Sequence, residues 1–284
     1  MIETAMEIGG AVVFWTAAEC TRRDRLQASF DELGLGSFVP DPRPDSAVLR
    51  QALEDVCGGP RMLVRPLADR DGFAVVREDR GTVGNQYHTL LVAKVDGTQL
   101  QFEPTSSRSE DVQRMFDGHR GRIPGVQLSA CLVKVVEFLG GTRLRPTGAV
   151  YWVPGHRLDA WCEVAAAVER ANEGKPSAVY LLRHRLDAES VRAVRDAVVA
   201  EVQNEANRIQ EDVLQGDLGG RALETRKKLA QALRDKVLLY EDVLNVGLVD
   251  LHRVVDAADQ VTASAALLLS TMHDQTDPPL VRVG

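Results

Sequence analysis

LDAESVRAVRDAVVAEVQNEANRIQEDVLQGDLGG, residues 186–220, is the stretch whose reading decides the fold. Within it Val191, Val194, Val198, Val202, Ile209 and Val213 recur at steps of three, four and seven, which puts apolar side chains on one face of an α-helix. Leu218, Gly219 and Gly220 interrupt the pattern. It resumes through Leu229, Leu233, Val237, Tyr240, Leu244, Leu248, Leu251, Val255 and Ala258. The reading is a coiled-coil-like helical hairpin over residues 186–272, two long amphipathic helices joined by a glycine turn, with a tail over 273–284. Hairpins of this length serve mostly as arms, dimerisation elements or docking surfaces.

Charge along the hairpin is mixed. Glu201, Glu205, Glu211, Asp212 and Asp217 make the first arm acidic near its tip, and Arg226-Lys227-Lys228 is a small basic cluster on the second. Such faces mean solvated helices, or charge-complementary pairing between arms or subunits. Val237-Leu238-Leu239-Tyr240 and Ala265 to Leu269 are apolar on more than one side. They require burial, against the rest of the chain or against another chain. The expected interface residues are Leu229, Leu233, Val237, Tyr240, Leu244 and Leu251.

Working back towards the N-terminus, residues 1–185 read as an α+β body with a mixed or antiparallel sheet. Ala11-Val12-Val13-Phe14-Trp15 is a strand or a buried helical turn. Helices are expected over Thr21 to Leu33 and from Asp45 or Ser46 to Val56, with Ser37-Phe38-Val39 a short strand between them. From Met62 the period changes to two. Met62-Leu63-Val64, Phe73 to Arg77, Tyr87 to Val95 and Gln99 to Phe102 form about four antiparallel strands, with Asp96-Gly97 a tight turn. Ser109 to Phe116 and Gln127 to Leu139 read as helices. A hairpin at Arg143-Leu144-Arg145 and Ala149 to Val153, a helix over Leu158 to Ala171 and a strand over Ala178 to Leu182 follow.

Two stretches look alike. Phe38-Val39-Pro40, a helix, Gly58-Gly59-Pro60 and a strand are matched by Trp152-Val153-Pro154, a helix, Gly174-Lys175-Pro176 and a strand. Coincidence explains such short strings; duplication would make each copy a βαβ unit.

Composition bounds the function. A net charge of -7 argues against a surface wholly committed to nucleic acid, though not against a local basic patch. No apolar run reaches the ~20 residues that cross a bilayer. Glu3 and Glu7 stand where an export signal carries basic residues, and a cytoplasmic setting is expected. Cys20, Cys57, Cys131 and Cys162 form no C-x-x-C pair and read as small buried hydrophobes. Neither a phosphate-cradling glycine loop nor metal spacing among the six histidines is found. The expectation is therefore no cofactor, no metal, no catalytic residue and no enzyme.

The best alternative lies between Arg108 and Arg157, where eight Lys/Arg face four acids. Residues 108–154 run helix, linker, helix, hairpin, which is the order of the latter part of a winged helix. Arg143 and Arg145 would share one face of the wing, with Arg120 and Arg122 as further nucleic-acid contacts. Set against this, the second helix is very apolar and offers few residues for reading bases.

Met62-Leu63-Val64-Arg65-Pro66-Leu67, Gly72-Phe73-Ala74-Val75-Val76, Gly148-Ala149-Val150-Tyr151-Trp152-Val153-Pro154 and Leu223-Glu224-Thr225-Arg226 resemble an uncharacterised family of bacterial and phage-encoded proteins. In it a β-rich N-terminal half and a G-x-Y-[FW]-V-P-type strand precede a long helical C-terminal half. The resemblance implies a phage, plasmid or accessory-gene setting and supplies no activity. The leading expectation is a non-enzymatic assembly or adaptor protein that self-associates or docks a protein partner through its C-terminal helices, with no membrane. A nucleic-acid-associated accessory protein, in DNA metabolism or defence, is the alternative.

Overall fold

A computed structural model describes residues 9–69, 71–81, 84–97, 99–145, 147–174, 176–216 and 218–276, with side chains through residue 270. Residues 1–8, Asp217 of the acidic tip and the expected tail beyond residue 276 lie outside the described residues. The chain opens with β1 (Gly10–Thr16), β2 (Thr21–Arg22), α1 (Arg23–Glu32) and α2 (Asp45–Cys57). β3 (Met62–Pro66), β4 (Gly72–Gly81), β5 (Gly84–Asp96), β6 (Gln99–Glu103) and α3 (Ser107–His119) follow. Next come β7 (Arg122–Ile123), α4 (Gly125–Phe138), β8 (Thr142–Arg143), β9 (Val150–Pro154), α5 (Leu158–Arg170) and β10 (Ala178–His184). Three long helices end the described chain: α6 (Ala188–Leu214), α7 (Gly220–Leu244) and α8 (Val249–Thr276). The fold is α+β, with antiparallel pairing between β1 and β9, β8 and β9, and throughout β3 to β6.

The chain divides into two compact units, and the division does not fall at residue 185. One unit holds β1 through Trp15, Leu132–Ala165 and the chain from Val179 through α8; the other holds Thr16–Cys131 and Ala166–Ala178. The reason is β pairing across long sequence distance, which a linear reading of periodicity does not register.

In the second unit the period-two segments form a meander in the order β3-β4-β5-β6. Alternation puts Val75, Leu91, Ala93 and Leu100 on the inner face, where α2 brings Val48, Leu49, Ala52 and Leu53 and α3 brings Val112 and Phe116. α3 starts in a capping box between Ser106 and Ser109. Beside the meander, β2 pairs with β7, and a polar staple closes the unit. Asn172 accepts from Thr21 Oγ1 at 3.3 Å and donates to the Ser177 carbonyl at 2.8 Å, while Arg22 N–H donates to the Ala171 carbonyl.

In the first unit a sheet ordered β10-β1-β9-β8 carries the three long helices. Val12 faces Trp152 and Val13 faces Tyr151 across the β1–β9 ladder, so the two pairs lie on opposite faces. Trp152 meets the helices, its ring 5.8 Å from that of Tyr240, while Tyr151 stacks on Trp15 at 5.6 Å, with Trp161 beyond. Burial on both faces is why β1 reads as an unbroken apolar run.

The two apparent βαβ copies differ. Gly36–Phe38 is a 3-10 turn rather than a strand, and β3 pairs antiparallel with the strand after it. β9 and β10 do share a sheet, with β1 between them.

The expected hairpin is a three-helix layer in which every pair of helices packs together. Ion pairs bridge them: Arg226 to Asp212 at 2.7 Å and Arg234 to Asp256 at 2.8 Å. The second expected arm breaks at Asn245, which takes the left-handed conformation at φ 51. Glu241 then accepts from Leu248 N–H at 2.6 Å and meets His252 at 3.0 Å, fixing the start of α8. Leu244, Leu248 and Leu251 keep helical spacing across this turn, so periodicity alone cannot locate it. A residue without a short polar side chain pays about 1–2 kcal/mol in this conformation. Asn245→Ala is accordingly expected to lose about 1 kcal/mol in urea unfolding, and Asn245→Gly to stay within a few tenths.

Candidate functional site

Most residues expected to meet a partner through the helices are buried inside the chain. Leu233, Val237, Tyr240, Leu244 and Leu251 join Val194, Val198, Val202 and Ile209 in one core, with Val12, Leu144 and Trp152 of the sheet unit against it. The helices therefore pack on their own sheet. Leu229 is the exception, 38% exposed.

Polar groups fix this packing. Gly140, at φ +78, turns the chain after α4, and its carbonyl accepts from the Tyr240 hydroxyl at 2.9 Å. Glu201 of α6 accepts from Thr142 Oγ1 at 2.6 Å and pairs with the Lys236 ammonium of α7, which also donates to the Gly141 carbonyl at 2.9 Å. Glu137 reaches the surface but is crowded by protein and by the Glu201 carboxylate, and both push its pKa upward. These groups hold sheet and helices together.

The four arginines expected to contact nucleic acid fall two to a unit. Arg143 Nη2 donates to the Tyr151 hydroxyl at 2.7 Å, with its guanidinium over the Tyr151 ring. Arg145 is exposed. The hairpin that carries them is the edge of a four-stranded sheet, because β9 pairs with β1 as well as β8; it is not a free wing. The winged-helix reading fails because it could not see that β9 has a second partner. In the other unit Arg120 pairs with Asp45 at 2.9 Å and lies over Phe116, and Arg122 meets Glu173 at 3.5 Å.

His88 and His252 stand beside acids, His88 3.6 Å from Asp79 and about half exposed. His119 is more enclosed, with Nε2 2.7 Å from Asp55 and Nδ1 3.6 Å from Glu19. Glu19 also receives Arg43 at 2.9 Å and Gln51 at 3.0 Å. Sequence gives no sign of this cluster, whose members are spread over a hundred residues. Cys20, Cys57 and Cys131 are buried thiols and Cys162 is half-buried, none of them in a disulfide. Burial raises the pKa of Cys57, keeping its thiol neutral. Among the described residues no group of three or more His, Cys, Asp or Glu is placed to hold a metal ion, and no helix is long and apolar enough to cross a membrane.

Among the described residues, two cavities of the second unit stand out. The larger, about 760 Å³, sits between β6 and α3, walled by Leu100, Phe102, Ser109, Gln113 and Arg120. Gln113 Oε1 accepts from the outward N–H of Leu100 at 2.9 Å, satisfying part of the exposed edge of β6. The smaller, about 280 Å³, is lined by Arg23, Arg43, Arg120 and Arg122.

The family model described as "Family of unknown function (DUF6744)" matches residues 8–273, and the chain belongs to that family. This bears out the resemblance to an uncharacterised family, whose motifs lie in both units. No curated protein and no solved structure matches the chain.

Tyr240 offers a test of the helix-to-sheet packing. Burial, then the Glu201 charge, holds its pKa well above the ordinary value near 10. The folded protein keeps this proton where the unfolded chain loses it, so the stability due to Tyr240 is full below about pH 10 and falls as pH rises beyond it. Tyr240→Phe is expected to cost about 1 kcal/mol at neutral pH by loss of the hydrogen bond. It should also flatten the alkaline limb of a stability profile measured by denaturant titration.

Proposed function

We propose that the chain is a non-enzymatic assembly or adaptor protein whose contact surface is the distal part of α8. One observation carries this reading. The buried stripe of α8 runs through Leu251, Val255, Ala258 and Thr262, but the apolar sequence continues past it as Ala265 to Leu269. Ala265 and Leu269 extend the stripe and are half-buried, whereas Leu267 and Leu268 lie outside it at 67% and 66% exposed. Two adjacent leucines this exposed on a helix form a patch that association would cover. The contact thus moves from Leu233, Val237, Tyr240, Leu244 and Leu251, which the chain's own core uses, to a stretch that the core leaves at the surface. Self-association is the simplest form of it, because a helical face of this kind meets its own copy across a two-fold axis.

Nucleic-acid contact through the basic segment is the second reading. Arg145 favours it, being exposed and without an acidic partner among the described residues. It implies binding that weakens steeply with salt.

Light scattering on the purified protein separates these readings. A defined oligomer is expected, and Leu267→Asp with Leu268→Asp should reduce it to a monomer with unchanged far-UV circular dichroism. A wild-type monomer, or a folded double variant that keeps its assembly size, removes α8 as a self-association surface. Mass gained only with nucleic acid transfers the reading to the basic segment.

A further inference from the structure

The smaller cavity of the second unit concentrates positive charge in an acidic protein. Arg23, Arg43, Arg120 and Arg122 line it, against the carboxylates of Asp41 and Asp45. Each guanidinium carries five N–H donors in a planar fork that matches the oxygens of a phosphate. Internal partners use only part of them. Arg43 gives Nη1 to Glu19 and Nη2 to Gln51; Arg120 gives Nη2 to Asp45; Arg122 gives Nη2 to Glu173. Among the described residues Arg23 is held by neutral acceptors alone, the Pro40 carbonyl at 2.8 Å and Gln27 at 3.3 Å. Among the described residues Arg122 Nε is buried and has no hydrogen-bond partner, an arrangement that is costly unless something accepts the bond.

The backbone adds to the same field. Arg23 is the first residue of α1 and Asp45 the first residue of α2, and neither helix has a side-chain N-cap. Gln127, in the first turn of α4, also lines the cavity. Three helix N-termini thus border a space already walled by four arginines, and each carries partial positive charge.

We propose that this cavity binds a phosphate group, either free or carried on a small organic molecule. At about 280 Å³ the space is near the lower limit for ligand pockets and suits a phosphate with little attached. Arg120 also lines the larger cavity, whose Leu100 and Phe102 offer an apolar wall to an organic body. This site is independent of the leucines on α8 and stands or falls separately from them.

The test is calorimetric titration of the full chain at fixed ionic strength with inorganic phosphate, adenosine 5′-monophosphate and adenosine. Phosphate and the monophosphate are expected to bind and adenosine is not. The monophosphate binding more tightly than phosphate identifies an organic phosphate as the ligand, and equal affinities identify the free ion. Arg23→Gln and Arg122→Gln should each weaken binding about tenfold, roughly 1.4 kcal/mol. Asp41→Asn, which removes a negative charge from the wall, should tighten it. Circular dichroism checks each fold, and Arg23→Gln supplies the test if Arg122→Gln does not fold. Absence of heat with both phosphate and the monophosphate overturns the proposal. So does adenosine binding as well as its monophosphate, or a folded Arg23→Gln protein that binds like wild type.

Discussion

The first unit depends on burying Trp152 and Tyr240 against one another. Each aromatic side chain removes about 150–250 Å² from water, worth roughly 4–6 kcal/mol apiece before entropy is counted. That burial is available only if α7 lies across the face of the β1–β9 ladder. The hydroxyl of Tyr240 must then find an acceptor, and the Gly140 carbonyl supplies it. The Glu201–Lys236 pair, anchored on Thr142 and Gly141, fixes α6 and α7 over the same corner of the sheet. α8 completes the layer by covering the seam that α6 and α7 leave open.

Much of this order is legible in the residues themselves. Period two between Met62 and Phe102 gives a meander because each strand carries one buried face and a turn short enough to bring the next strand back. Long helices after Asp187 follow equally directly from valines spaced to form one stripe. What escapes such reading is any partner far away in sequence. Nothing in Val150 to Pro154 says that its ladder is completed by β1, so a two-stranded wing and the edge of a larger sheet read alike. The break at Asn245 is hidden for a different reason: Leu248 serves the core from within a turn and keeps the helical rhythm intact.

The candidate sites divide in the same way. The apolar helix residues are correctly recognised as needing cover, but composition cannot say whether the cover is internal. For Tyr240 and Leu251 it is the chain itself; for Leu267 and Leu268 the described chain leaves them at the surface. Arg120 and Arg122 stand out in sequence as part of a basic segment. Arg43 does not, lying between Asp41 and Asp45, and Arg23 falls in the separate run Arg22-Arg23-Asp24-Arg25; only the fold gathers them with the others. A charge count along the sequence therefore picks out two of the four arginines that line this cavity and passes over the other two.

The interleaving of the units also dictates when they can form. The chain passes from one unit to the other four times, and β1 finds its ladder only in β9, where Gly10 meets Pro154. On a ribosome, the apolar strand Ala11-Val12-Val13-Phe14-Trp15 emerges early and waits for some 140 further residues before its partner exists. The second unit waits as long, since Thr21 is tied to Asn172. Loop closure over such distances is slow, and the waiting strand is a sticky edge. Synthesis of this protein thus has a vulnerable interval, beginning with its first strand and ending only when α7 has been made.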